Sequence, residues 1–259
     1  KLDNKLQNLV WSSYLGGEGF DAIYSIAIDD SLNITLAGGT NSKQFPTTSN
    51  AYQDTLQGGR CDGFVSKIKH NGSQLLSSTY YGSDEYDQVY FVDLDRYQNA
   101  YVFGQTEKQD STFINNAQWS IPGSGQFVSK ITPDLSQRIY STVFGSGTGI
   151  NISPTAFLVD LCNKMYLAGW GGAVNQYPTY FSNAGYTNNM PISSDAYQST
   201  TDGSDFYIMV IEDDASGFVY GSYFGGPSST EHVDGGTSRF DRKGKIYQAI
   251  CAGCGNNSD

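Results

Sequence analysis

The chain has 259 residues and a net charge of −11, from 15 basic and 26 acidic side chains. That balance repels phosphate backbones and anionic headgroups, so no nucleic acid is expected as a partner. Thirty glycines, 19 tyrosines and 14 phenylalanines against 38% hydrophobic residues suit short strands and tight turns better than long amphipathic helices. No stretch approaches the roughly 20 consecutive apolar residues that cross a bilayer, so no direct membrane insertion is expected. The chain opens on Lys1 and stops at Asp259 just after a strand and a turn, which predicts a piece of a longer polypeptide.

In chain order, the predicted elements repeat. An orphan strand at Trp11 to Leu15 comes first, then a unit of four strands at Ala22 to Ile28, Ile34 to Gly38, Phe64 to Ile68 and Leu75 to Tyr81. The end of that unit, Thr79-Tyr80-Tyr81-Gly82-Ser83, matches Ser13-Tyr14-Leu15-Gly16-Gly17, Thr142-Val143-Phe144-Gly145-Ser146 and Ser222-Tyr223-Phe224-Gly225-Gly226. Tyr14, Tyr80, Val143 and Tyr223 lie 66, 63 and 80 residues apart. A second series begins at Ile34, Ala100, Met165 and Ile246, each preceded by an aspartate: Asp29, Asp95, Asp160 and Asp241. The third runs from Phe64, Phe127 and Phe206, always in the same order within its unit.

Asp29-Asp30-Ser31-Leu32-Asn33 and Asn71-Gly72 have turn chemistry, so each unit is an antiparallel meander. The first strands carry Tyr24, Ile26 and Ile28, or the apolar run Val89 to Val92, as strands buried on both faces do. Sheets with two apolar faces must stack, and radial stacking gives a β-propeller. A β-solenoid is the lesser alternative, its repeats being shorter. The expected fold is therefore all-β: about three and a half blades of a larger propeller, in repeats of approximately 20–82, 83–145, 146–225 and an incomplete 226–259.

Trp11-Ser12-Ser13-Tyr14-Leu15-Gly16-Gly17, Phe45-Pro46-Thr47-Thr48 with Ala51-Tyr52-Gln53, and Phe64-Val65-Ser66-Lys67 resemble the SBBP β-propeller repeat over nearly the whole chain. Gly169-Trp170-Gly171-Gly172, the run from Ala196 to Tyr207, and Glu231 to Asp241 with Cys251-Ala252-Gly253-Cys254-Gly255 are similar to a branch in large Bacteroidota surface proteins associated with gliding motility. The resemblance implies export as cargo of the type IX outer-membrane translocon, a cell-surface or extracellular location, and no established catalytic residues. The second unit departs from the pattern at Phe113 to Trp119, where its outer loop is expected to pack differently.

Cys251 and Cys254 form a C-x-x-C pair, which suits a small disulfide or buried thiols better than zinc, since His232 is the nearest further ligand. Glu231, His232 and Asp234 suggest acid–base chemistry or a cation, but turn hydrogen bonds are the simpler use. Asp29 and Asp30 are the best local oxygen ligands for a calcium ion, yet they lack the carboxylate density of a calcium loop, and turn capping explains the aspartate series. No resident cofactor is expected. Trp170, Tyr177, Tyr180, Phe181 and Tyr186 offer aromatic faces for a sugar, or cover a neighbouring blade. Asp30-Ser31-Leu32 and Asp54-Thr55-Leu56 resemble the short O-glycosylation signal of Bacteroidota.

Together these features predict a non-catalytic scaffold or adhesive binding module, with surface glycans or other surface proteins as partners. The alternative is a secreted propeller enzyme acting on polysaccharide, or a metal-binding propeller. No sialidase box, nucleophile elbow or zinc-protease pattern is present.

Overall fold

The structure, a computed structural model, describes residues 1–172, 185–232, 238–241, 245–249 and 251–252, without the side chains of 232, 238, 251 and 252. The described residues form an all-β chain with three four-stranded antiparallel sheets, each a meander in sequence order. The first contains β1 (Asp21–Ile28), β2 (Ile34–Thr40), β3 (Asp62–Ile68) and β4 (Leu75–Tyr81). The second contains β5 (Asp87–Leu94), β6 (Ala100–Thr106), β7 (Gln126–Ile131) and β8 (Arg138–Phe144). The third contains β9 (Ser153–Val159), β10 (Met165–Trp170), β11 (Phe206–Ile211) and β12 (Phe218–Phe224). Beyond it, β13 (Glu231–His232) pairs with β16 (Cys251–Ala252), and β14 (Ser238–Phe240) pairs with β15 (Ile246–Gln248).

The sheets stack through their first strands, β1 against β5, β5 against β9, and β9 against β14. Side-chain alternation feeds two cores at once. From β6, Ala100 and Val102 join Ala37, Val65, Tyr81, Val89 and Val92 between the first and second sheets. Its Tyr101 and Phe103 point the other way and join Phe144, Ile152, Leu167 and Tyr207 between the second and third. Every residue of β6 is consequently buried.

Each first strand carries a bulge opposite a glycine of the second. The register skips Tyr24 at Ile23↔Gly38, Tyr90 at Val89↔Gly104, and Thr155 at Pro154↔Gly169. A Cβ on these glycines would run into the first strand's carbonyls at Ala22, Gln88 and Ser153. The glycine that closes the second series is therefore required by close backbone approach.

Three sequence expectations change. Trp11 to Leu15 is not a strand, and no described strand pairs with it. Strand β1 is not buried on both faces: Ser25 and Ala27 face the second sheet, but Ile26 and Ile28 are each 63% exposed. Their counterparts Val92 and Leu94 are covered by the first sheet, whereas no described sheet covers β1. Third, Tyr207, not Phe206, is the equivalent of Phe64 and Phe127. Phe64 opposes Gly38 and Tyr80, Phe127 opposes Gly104 and Val143, and Tyr207 opposes Gly169 and Tyr223. Matching phenylalanine with phenylalanine slips the register by one residue, which in a strand exchanges the faces.

The irregular second loop does pack differently, while keeping one contact. Phe113 ends a single 3-10 turn and stacks on Phe127 at 4.4 Å, as Phe45 lies on Phe64 at 4.4 Å. Its Trp119 then crosses to the third sheet, stacking on Phe218 and donating its amide hydrogen to the Ala215 carbonyl.

Candidate functional site

The aspartate series closes turns. Asp29 Oδ1 accepts the amides of Ser31 and Asn33, Asp95 Oδ1 those of Tyr97 and Asn99, and Asp160 Oδ1 those of Cys162 and Lys164. Asp241 Oδ1 accepts the Lys245 amide. The other Asp29 oxygen takes Asn33 Nδ2 and the Lys67 ammonium at 2.9 Å. Burial alone would raise the Asp29 carboxyl, but hydrogen bonds from Lys67 and Asn33 hold it below its usual value. Lys130 repeats the arrangement beside Asp95 at 3.6 Å. Asp30, the other calcium candidate, accepts a hydrogen bond from Gln98 Nε2.

The Ala-Tyr-Gln loops are likewise structural. The hydroxyls of Tyr80 and Tyr223 accept the amides of Phe45 and Met190, and Gln53 and Gln198 accept the amides of Gly82 and Gly225.

The main cleft, of 620 Å³, runs where β1, β5 and β9 lie side by side, and is lined by Asp30, Asp93, Asp95, Arg96, Gln98 and Asp160 with apolar strand residues. Its carboxylates are already engaged. Asp93 Oδ2 takes the Val159 amide and Oδ1 takes the Leu94 amide, while Asp95 and Asp160 close their turns. Asp30 is exposed and accepts the Gln98 hydrogen bond on Oδ2.

A second cavity, of 500 Å³, is an apolar groove on the outer side of the first sheet between Trp11 to Leu15 and the side chains of Ile23, Ile26, Ile28 and Leu36. Trp11 holds that segment in place by donating Nε1–H to the His70 carbonyl.

Among the sugar-binding candidates, Trp170 ends β10 and packs half-buried with Ala168, Phe206 and Phe240, whereas Tyr186 is exposed. Tyr177, Tyr180 and Phe181 lie outside the described residues, as do the side chains of His232 and Cys251 and all of Asp234 and Cys254. Glu231 is buried and fastens a loop, accepting from the Gly226 amide and the Ser229 hydroxyl. Cys61 is a buried free thiol, pushed up to about 11 by burial, and Cys162 is an exposed one. Ser31 and Thr55, of the two short glycosylation-like triplets, sit on exposed turns.

Sequence reasoning missed the polar pairs between sheets. Asp62 with Asp87, Gln126 with Asn151, and Asp205 with Glu231 meet where the third strand of one sheet approaches the start of the next. The signal was faint because the residue types and spacings differ at each place. Compared with known proteins, the chain matches no family model and no curated protein sequence.

Proposed function

We propose that the chain is a run of β-propeller blades acting as a non-catalytic scaffold and binding module of a secreted cell-surface protein. The observation that carries this is the repeated stacking of meander sheets through their first strands. Radial stacking lets each sheet bury both faces, and the bare apolar face of β1 is where a further blade would pack. The SBBP-like motifs fit the same geometry, since their glycines, Ala-Tyr-Gln loops and Phe-Val-Ser-Lys strands each hold a fixed structural contact.

The non-catalytic part is supported by the main cleft, whose carboxylates serve turns and strand ends. In this reading the protein is adhesive or gliding-associated cargo of the type IX translocon, and surface glycans or other surface proteins meet its exposed loops. Protease shaving of intact source cells, with and without that translocon, tests location, and a polysaccharide panel tests chemistry. Shaving that depends on the translocon, with no reducing ends released, is the expected outcome. Retention inside the cell, or polysaccharide cleavage abolished by Asp93→Asn, would contradict it.

A further inference from the structure

The polar pairs between sheets do more than fill space. At the first junction the Asp87 amide donates to the Cys61 carbonyl, and at the third the Glu231 amide donates to the Ser204 carbonyl, which sets each acid beside Asp62 or Asp205. All four side chains are buried. Asp205 Oδ1 and Glu231 Oε2 both occupy the space a Gly225 Cβ would need, and Asp62 Oδ1 stands 2.8 Å from where a Gly82 Cβ would lie. Oxygens of both pairs lack hydrogen-bond partners: Oδ1 of Asp62 and of Asp87, both oxygens of Asp205, and Oε2 of Glu231.

The middle junction has amides in this place. Gln126 donates to the Phe144 carbonyl and accepts from the Asn151 amide, while Asn151 accepts from Ser146 and donates to Ser146 and Tyr186. A neutral amide pair supplies both donors and acceptors. Two carboxylates supply acceptors only, and buried like charges repel.

We propose that each carboxyl pair, Asp62–Asp87 and Asp205–Glu231, holds one shared proton at neutral pH, so that a carboxylic acid on one sheet donates to a carboxylate on the next. The proton gives the carboxyl pair a donor, as the side-chain amides of Gln126 and Asn151 give one to the carbonyls of Phe144 and Tyr186 at the middle junction, and each pair keeps one negative charge. A cation is the poorer occupant, because the free oxygens number two at one junction and three at the other, whereas calcium takes six to eight.

Burial pushes Asp62 and Asp87 up to about 7, Asp87's charge adding to the rise at Asp62, and burial also raises Asp205. Among the described residues, the charged and titratable groups facing the first pair are Asp84, Cys61 and Tyr80, and those facing the second are Asp202 and Tyr223. None is a cation that would neutralise a second carboxylate. A carboxyl raised on folding binds its proton more tightly in the folded state. The stability it confers is full below its unfolded value of 3.8 and is lost as pH rises through about 7.

Urea unfolding of the chain between pH 5 and pH 8, with Asp62→Asn and Asp205→Asn variants, tests this. In the parent chain the Asp62–Asp87 pair should raise the unfolding equilibrium constant by about 100-fold over that range, and the Asp205–Glu231 pair should change it in the same direction. Each asparagine, which brings its own donor, should remove its own pair's part of the pH dependence, while Asp21→Asn, at an acid that no described sheet faces, should not. Infrared spectra near pH 6 should show the C=O stretch of buried carboxylic acid, weakened in each variant and absent in the double variant. A missing acid band, pH profiles unchanged by the asparagines, or calcium stabilisation at pH 8 abolished by them would overturn the proposal.

Discussion

Gly169→Ala asks whether the glycine opposite each bulge is required by space. Its added Cβ would lie 2.6 Å from the Ser153 carbonyl oxygen, 2.9 Å from Ile152 Cδ1 and 3.1 Å from Ile152 Cβ. The oxygen belongs to a paired strand and Ile152 is fully buried, so neither yields cheaply. Overpacking of this kind costs about 1–3 kcal/mol, offset by about 0.4–1 kcal/mol because alanine restricts the unfolded chain. A net loss of about 1–2 kcal/mol is expected. Gly217→Ala is the control: it has no positive φ, and its nearest atom, Glu212 Cγ, is 3.9 Å away, so only the small gain should appear. Urea midpoints at matched slopes give the difference. Equal midpoints for the two variants would refute the close-approach argument.

Four further outcomes follow from the described contacts. Ser129→Ala strands the buried Ser141 hydroxyl, now bonded at 2.6 Å, and should cost about 1–2 kcal/mol, with the Ser129→Ala/Ser141→Ala double variant losing less than the sum in chemical denaturation. Lys67→Met leaves Asp29 buried without its cation and should cost about 3 kcal/mol, largely recovered by adding Asp29→Asn. The depressed Asp29 carboxyl stabilises the fold above its unfolded value of 3.8 and loses that effect as pH falls through its folded value, so Asp29→Asn should flatten the acid limb of an unfolding profile. In the folded protein, iodoacetamide followed by peptide mapping should label Cys162 fully and spare Cys61, whose thiol is buried and stays protonated.

Much of the architecture was legible because the repeats act through local chemistry. The strands from Ile34, Phe64 and Leu75, and their counterparts, are marked by apolar runs, and Asp29, Asp95, Asp160 and Asp241 close turns within a few residues of themselves. What escaped depends on contacts between sheets. Ile26 and Ile28 read as core residues because β5 and β9 bury their equivalents, whereas no described sheet covers these two. The register at Tyr207 is set by Gly169 and Tyr223, not by the Phe206 identity. The pairs at Asp62–Asp87 and Asp205–Glu231 join residues from successive sheets, and an acid in one unit stands where another has an amide.

The claim on which the rest depends is that successive sheets stack face to face as equivalent repeats. Phe103 of the second sheet and Phe157 of the third have ring centroids 5.9 Å apart across that junction. A double-mutant cycle with Phe103→Leu and Phe157→Leu measures their coupling directly. Stacked sheets predict about 0.5–1.5 kcal/mol of favourable coupling, and strictly additive losses would contradict the arrangement.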